Sequence, residues 1–176
     1  LKYNEEWGKK KLKKERVLVE FVSSNPTGPL HIGHARGAVL GNIISNLLSN
    51  QGYEVTKEYY VNDAGRQINI LALSIMLETL QNNINKEGLY QGDYIKDLAK
   101  KFMAAKLVNE VNNPLEKFSD DPDERIDQLI SHYKNDSPET WNLIRDFSVN
   151  EMIKLIKDDL SRMEILHDEW FYERSL

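Results

Sequence analysis

One succession near the start of the chain constrains its fold most: an apolar run, a turn rich in proline and glycine, and an amphipathic helix. Residues 17–22 read VLVEFV, which is typical of a parallel strand buried on both faces. Residues 23–29 break this run, and apolar residues then recur at helical spacing from about His34 to Gly52. The sequence therefore predicts a strand, a loop at its carboxyl end and a helix.

A second unit of the same kind follows directly. Residues 53–61 are β-branched and aromatic, which favours a strand. We assign Tyr59 and Tyr60 to sheet packing, with stacking on a ligand as the alternative. Apolar residues at helical spacing over residues 68–77 predict the next helix. A strand-helix-strand-helix order with right-handed connections indicates an α/β fold, the first half of a Rossmann-like (HUP-type) parallel sheet.

The rest of the chain divides by composition. Residues 1–16 form a basic linker, solvated or, alternatively, in contact with RNA phosphates, and residues 17–82 form the half sheet. Residues 83–136 are polar and predict a mainly helical insertion, and residues 137–176 predict a long helix and a returning strand. This helix should run from Pro138 to Arg162. The aromatic and aliphatic residues that we assign to the core of this last segment are Trp141, Ile144, Phe147, Met152, Leu155, Ile156, Leu160, Trp170 and Phe171.

Composition excludes several classes of protein. The chain has no cysteine, so disulfides and thiolate metal sites are excluded, and a cytoplasmic location is expected. Its net charge of -5 argues against a dedicated nucleic-acid-binding module, and no apolar run is long enough to predict a membrane span. The chain starts at Leu1 rather than Met and stops on a strand-like segment, so we expect it to be a piece of a longer protein.

Residues 26–34, PTGPLHIGH, carry the predicted chemistry, because they lie between the buried strand and the helix. His31 and His34 can donate hydrogen bonds to phosphate oxygens, and the helix N-terminus adds free N–H groups. Gly33 leaves space for a flat ring against the backbone. No general base or nucleophile accompanies them, which favours catalysis by positioning and charge stabilisation. The alternative is two satisfied histidines in a tight turn.

We predict no metal site. Zinc would need a third ligand near the histidine pair, and the other histidines, His132 and His167, are remote in sequence.

Residues 26–34 resemble the HIGH signature of class I aminoacyl-tRNA synthetases. The resemblance implies that His31, Gly33 and His34 bind ATP, which carries Mg²⁺ with it, and that adenine packs against Gly33. It also implies that both histidines stabilise the transition state as the carboxylate of the amino acid attacks the α-phosphate.

The flanking residues resemble the arginyl family in particular. Residues 19–28 (VEFVSSNPTG), 58–67 (EYYVNDAGRQ) and 170–176 (WFYERSL) are similar to three segments of that family in the same order. Glutamyl enzymes carry Arg where this chain has Phe21, and the neighbouring Glu20 reverses the charge preference. An unpaired carboxylate on an apolar strand is costly to bury, which favours a cationic partner such as guanidinium.

The resemblance also implies which residues bind arginine. These are Glu20, Ser23, Asn25 and His31. In the second motif, Asp63, Gly65 and Gln67 are expected to shape the rim of the pocket. An Asx turn with a helix cap is the alternative role for Asp63.

The resemblance implies an arginine–tRNA ligase, which activates arginine with ATP to arginyl adenylate and transfers it to tRNA(Arg), releasing AMP and diphosphate. The parent protein is expected to be a monomer, and the family generally needs tRNA for the first step. The chain has no counterpart of the second signature, a Lys-Met-Ser-Lys-Ser loop, so this piece alone is expected to be inactive. The alternatives are a glutamyl-type synthetase, a small HxGH nucleotidyltransferase and a protein that binds without catalysis.

Overall fold

Three parallel strands form one sheet in the order β1-β2-β3, as the sequence predicts. The computed structural model describes residues 8–82, 84–105 and 118–176. In chain order the elements are β1 (Arg16–Glu20), α1 (Ile32–Asn50), β2 (Glu54–Val61), α2 (Arg66–Thr79), α3 (Asp93–Ala104), α4 (Pro122–Asp136), α5 (Pro138–Arg162) and β3 (Glu169–Tyr172), with a 3₁₀ turn at Glu173–Ser175.

The described residues form two compact units. The first contains the residues up to Asp63 together with Leu155–Leu176, and the second is Ala64–Lys154. The second unit therefore takes in α2, which the sequence analysis grouped with the half sheet. The domain boundaries drawn from composition stay a prediction.

In the first unit, helix α1 packs through small residues rather than through its large apolar ones. Ala38, Gly41 and Ser45 are its buried residues, and the Phe21 ring lies against Gly41. A methyl group at position 41 would overlap that ring. The large apolar residues whose spacing predicted the helix are mostly exposed, namely Val39, Leu40, Ile43, Ile44 and Leu47.

Strand β1 is also less buried than predicted. Its residues alternate between exposed and half-buried, and Leu18 is 56% exposed. Within the described residues β1 pairs with β2 alone, from Arg16 opposite Glu54 to Glu20 opposite Glu58. The prediction of a strand buried on both faces is therefore wrong for the described residues, because β1 is an edge strand of their sheet.

The described part of the basic linker, from residue 8 onward, is exposed. Its backbone nevertheless makes hydrogen bonds to the turn between α1 and β2. The backbone N–H of Lys10 donates to the carbonyl of Asn50 at 2.8 Å, and that of Lys13 donates to Gly52 at 2.6 Å. Gly52 has a φ of 90° and lies against the carbonyl oxygen of Lys11, so only glycine fits there without strain.

The second unit is helical. The predicted start of α5 at Pro138 is confirmed, and α4 begins in the same way, with Pro122 after the N-cap Asp121. Phe102 of α3 packs against Phe147 of α5 with ring centroids 5.2 Å apart. Residues 83 and 106–117 of the predicted insertion lie outside the described residues.

Five of the nine residues predicted to form the core of residues 137–176 are confirmed as buried. Trp141, Ile144, Met152, Ile156 and Leu160 are each at most 2% exposed. The side chains that are only half-buried, against prediction, are Phe147, Leu155, Trp170 and Phe171. No helix among the described residues has the length and apolar character needed to cross a membrane.

Candidate active site

The two histidines of the signature cap helix α1 and stack on each other. His31 is the N-cap residue, and its Nδ1 accepts a hydrogen bond from the backbone N–H of Gly33 at 3.1 Å. The Nδ1 of His34 accepts from the backbone N–H of His31 at 3.3 Å. The ring centroids lie 3.7 Å apart at 22°. This reciprocal arrangement holds both imidazoles together at the positive end of the helix.

The capping bonds also fix where each ring carries its proton. An Nδ1 that accepts a hydrogen bond is unprotonated, so a neutral ring carries its hydrogen on Nε2. Partial burial, and then the neighbouring His31 ring, lower the pKa of His34 and favour its neutral form. Both rings can therefore present an Nε2–H donor to an anion. The alternative drawn from the sequence was two satisfied histidines in a tight turn. The Nδ1 atoms are satisfied in this way, whereas the Nε2 atoms can still donate to a ligand.

Gly33 is required by the position of the His31 ring. A Cβ at position 33 would lie 2.9 Å from Cε1 and 3.0 Å from Nδ1 of His31. A larger residue there would push the imidazole away from its capping position.

The loop after β1 is strained and is held by the neighbouring strand. Val22 and Ser23 have positive φ angles of 68° and 41°, which residues other than glycine rarely adopt. The Ser23 Oγ accepts a hydrogen bond from the backbone N–H of Tyr60 at 3.1 Å. The hydroxyl of Tyr59 lies 2.7 Å from the Ser24 Oγ and donates to the Ser24 carbonyl at 3.0 Å. The predicted ligand Ser23 is thus also a structural residue.

Tyr59 packs within the sheet, as the sequence analysis assigned it. It is 1% exposed, and its ring stacks on Trp170 at 4.3 Å. Burial raises the pKa of its hydroxyl, against the smaller opposite effect of its hydrogen bonds to Ser24.

Glu20 and Asn25, the other predicted arginine ligands of this segment, are exposed. The prediction of a costly buried carboxylate at Glu20 is therefore wrong, because the residue ends an edge strand. Glu20 is the last residue of β1, whereas the predicted strand continued to Val22.

Asp63 connects the ends of two strands. It is 1% exposed, and its Oδ1 accepts a hydrogen bond from the backbone N–H of Arg174 at 3.0 Å. Its Oδ2 forms an ion pair with the Arg174 Nε at 2.8 Å. The N-cap of α2 is Gly65, which no side chain caps, and Gln67 is exposed on the same helix. Gly65 and Gln67 belong to the second unit, so the structure groups only Asp63 with the signature residues.

Three carboxylates act electrostatically on the hydroxyl of Tyr60, which lies near the carboxyl end of β2. Some burial, then Glu173, Asp63 and Glu20 in that order, raise the pKa of Tyr60. The Oε2 atom of Glu173 is buried without a hydrogen-bond partner among the described residues. Sequence reasoning missed Glu173, although it lies in the WFYERSL segment that the resemblance singled out. The region is negative and suits a cationic group.

His167 is a second residue that sequence reasoning missed. Its Nε2 lies 3.3 Å from the carbonyl oxygen of Phe21, and its ring lies 4.2 Å from the Phe21 ring. Its edge contacts with Tyr59 and Trp170 complete an aromatic cluster that includes Phe21. Nothing in the local sequence marks this histidine, because the contact is made across the sheet.

Within residues 8–82, 84–105 and 118–176, no three His, Asp or Glu side chains come together in a way that could hold a metal ion.

Comparison with known proteins identifies the family. The sequence matches the family model of the class I tRNA synthetase (R) catalytic domain over residues 1–176. It is 41% identical over 170 residues to an arginine–tRNA ligase of Vesicomyosocius okutanii, covering 92% of this chain and 30% of that protein. It is 42% identical over 167 residues to an arginine–tRNA ligase of Bartonella bacilliformis, covering 92% of this chain and 25% of that one. The chain thus spans less than a third of the length of these curated relatives.

Solved structures agree. A structure described as an arginyl tRNA synthetase from Campylobacter jejuni superposes with a TM-score of 0.72 at 38% identity, over 99% of this chain and 34% of that one. The arginyl-tRNA synthetase of Thermus thermophilus shares the fold, with a TM-score of 0.50 at 21% identity, over 94% of this chain and 24% of that one. The resemblance found in the sequence is confirmed: the chain belongs to the family of class I tRNA synthetases (R) and corresponds to part of its catalytic domain.

Proposed function

We propose that the protein containing this chain is an arginine–tRNA ligase. It uses ATP to form arginyl adenylate, transfers arginine to tRNA(Arg), and releases AMP and diphosphate. The observation that carries this proposal is the histidine pair, capped through Nδ1 with each Nε2 left to donate, in a chain whose relatives are named arginine–tRNA ligases. We place the protein in the cytoplasm and expect it to act as a monomer.

In this mechanism His31 and His34 act as hydrogen-bond donors through Nε2. Charge accumulates on the phosphate oxygens as the arginine carboxylate attacks the α-phosphate, and two fixed donors at a helix N-terminus stabilise that charge. The lowered pKa of His34 favours the neutral ring, whose unprotonated Nδ1 keeps the capping bond while its Nε2–H donates to the phosphate. Adenine packs against Gly33. Mg²⁺ comes with the phosphates of ATP, which supply its ligands.

The negative region around Tyr60 receives the guanidinium group. Glu20 and Glu173 supply carboxylates, and Asp63 adds charge although Arg174 already neutralises part of it. Ser23 and Asn25, on the strained loop, orient the α-amino and carboxylate groups. Glutamate would meet carboxylates here, which disfavours a glutamyl-type enzyme.

The proposal has two further parts, which concern the second motif and the activity of the 176-residue chain. Gly65 and Gln67 of the second motif shape the rim of the pocket. The 176-residue chain alone does not charge tRNA, because it has no counterpart of the second signature loop.

Isothermal titration tests the guanidinium site. The full-length protein, with its tRNA present, is titrated with arginine, citrulline and glutamate. Citrulline has the shape of arginine without its charge, so we expect it to bind roughly 10- to 100-fold more weakly, and glutamate not to bind. Glu20→Gln should weaken arginine binding by about tenfold. Glu54→Gln, at the opposite end of the sheet, is the control and should leave it unchanged. Equal affinity for arginine and citrulline contradicts the proposal.

A further inference from the structure

The hydroxyl of Tyr59 makes three hydrogen bonds to one residue of the loop after β1, Ser24. It accepts from the Ser24 backbone N–H at 3.1 Å and donates to the Ser24 carbonyl at 3.0 Å, and the Ser24 Oγ lies 2.7 Å away. A phenolic hydroxyl has one hydrogen to donate and two lone pairs that accept. Because its hydrogen goes to the carbonyl, the Ser24 Oγ is the donor in the third bond. Tyr59 therefore holds Ser24 through both backbone groups and the side chain.

The ring of Tyr59 fixes the position of this hydroxyl. Tyr59 is opposite Trp170 in the register of β2 and β3, and the two rings stack with centroids 4.3 Å apart. The ring also meets that of His167 edge-on, with centroids 5.4 Å apart. Since Tyr59 is only 1% exposed, it does not contact a substrate. Any effect of Tyr59 on a reaction is therefore exerted through the loop that its hydroxyl holds.

The loop needs this support because two of its residues are strained. Val22 and Ser23 have φ angles of 68° and 41°, and residues other than glycine keep such angles only where their surroundings enforce them. Strand β2 holds the loop at two successive residues. The backbone N–H of Tyr60 donates to the Ser23 Oγ at 3.1 Å, and Tyr59 holds Ser24. Without the Tyr59 hydroxyl, residues 22–25 can relax toward unstrained angles.

We propose that Tyr59 is a positioning residue for the amino acid substrate. Ser24 lies between Ser23 and Asn25, the two loop residues that orient the α-amino and carboxylate groups in the proposed function. Releasing Ser24 changes the orientation of both neighbours, whereas the signature histidines keep their capping bonds, which do not involve Tyr59. Tyr59 thus affects binding of the amino acid rather than of ATP. That this amino acid is arginine rests on the proposed function.

Tyr59→Phe tests the proposal, because it removes the hydroxyl and keeps the ring contacts. Charging of tRNA by the full-length protein is measured with arginine varied at saturating ATP, and with ATP varied at saturating arginine. We expect KM for arginine to rise about tenfold, and KM for ATP and kcat to change by less than about threefold. Tyr133→Phe is the matched control and should change none of these constants. Tyr133 is 0% exposed, and its hydroxyl has no hydrogen-bond partner among the described residues.

Hydrogen–deuterium exchange of the same proteins reports on the loop without any substrate. The peptide that covers residues 22–26 should exchange about tenfold faster in Tyr59→Phe, while peptides from the middle of α1 keep the wild-type rate. Tyr133→Phe should leave exchange in both regions unchanged.

The two measurements together decide the role of Tyr59. Unchanged exchange in the loop overturns the proposal, and so does faster exchange with an unchanged KM for arginine, because Tyr59 would then be structural only. An equal rise in both KM values also contradicts it. If the wild type charges tRNA with a different amino acid, the proposed function is wrong, whereas a raised KM for that amino acid in Tyr59→Phe still supports the positioning role.

Discussion

The Nε2 of His167 lies 3.3 Å from the carbonyl oxygen of Phe21, although 146 positions separate the two residues in the sequence. Phe21 is the last residue before the two positive φ angles that begin the signature loop. The segment before β3 therefore holds the start of the loop that leads to His31. This contact connects the last part of the chain to the candidate active site.

His167→Phe should make the stability of the protein less dependent on pH. The Nε2–H donates to Phe21, so the neutral ring has an unprotonated Nδ1, which is buried without a partner. Burial lowers the pKa of His167 from 6.5, and the charge of Lys57 acts in the same direction. The hydrogen bond to the Phe21 carbonyl and the charge of Asp168 raise this pKa, but each by less than burial lowers it. As pH falls, His167 therefore binds a proton in the unfolded chain before it does so in the folded chain. The contribution of His167 to wild-type stability is complete above about pH 6.5 and is lost progressively below it.

Thermal denaturation at a series of pH values, from about pH 8 to about pH 5, measures this difference. Phenylalanine keeps the aromatic contacts with Phe21 and Tyr59, so at pH 8 the variant should lose only about 1 kcal/mol with the hydrogen bond. The loss of stability on acidification should be smaller in the variant than in the wild type. Parallel pH curves would show that His167 does not titrate as described.

Gly41→Ala should destabilise the protein by about 1–3 kcal/mol, because the new methyl group overlaps the buried Phe21 ring. Gly37→Ala on the same helix is the control: no atom lies within 4 Å of its added methyl group, so it should be neutral or stabilising by up to about 1 kcal/mol. Urea denaturation compares the two. Equal effects of both substitutions would mean that α1 does not pack on Phe21 in this way.

His31→Asn should separate helix capping from catalysis. Asparagine is a good N-cap residue, so stability should change by less than about 0.5 kcal/mol, while His31→Ala should cost about 1 kcal/mol. Both variants lack the Nε2–H donor, so each should lower the rate of adenylate formation by about 10²–10³-fold. Single-turnover kinetics of the full-length protein with tRNA present measures this rate. A normal rate in His31→Asn would assign the residue to capping alone.

Asp63→Asn should lower the free energy of unfolding by about 1–3 kcal/mol. The substitution keeps the hydrogen bond from the Arg174 backbone but weakens the ion pair at a buried carboxylate. Asp127→Asn is the comparison, since Asp127 is 62% exposed in its ion pair with Arg66 and should lose less than about 0.5 kcal/mol. Chemical denaturation followed by circular dichroism gives both values. Losses of the same size would show that Asp63 does not fix the end of β3.

The elements of the fold could be read from the sequence because local signals were strong. The run of β-branched and aromatic residues predicted β2, and the Ser-Pro pair at Ser137 predicted the start of α5. Burial was harder to predict. Helix α1 places small residues such as Gly41 against the sheet, and hydrophobic periodicity does not report a face built from small residues.

The site was predictable only where its residues are close in sequence. His31, Gly33 and His34 lie within one turn of α1, and their spacing indicated their arrangement. Glu173 and His167 reach the same unit through the pairing of β3 with β2, which no local pattern encodes. The burial of Glu20 was predicted wrongly because its neighbours are apolar, whereas exposure depends on which strands flank β1.

The most direct measurement is the charging of tRNA by the full-length protein with ATP and each of arginine, glutamate and citrulline, comparing the wild type with His34→Asn. Charging with arginine alone, lowered by about 10²–10³-fold in the variant, is the predicted result. Charging with glutamate, or arginine charging that is unchanged in His34→Asn, would contradict the assignment of this histidine pair to arginine activation.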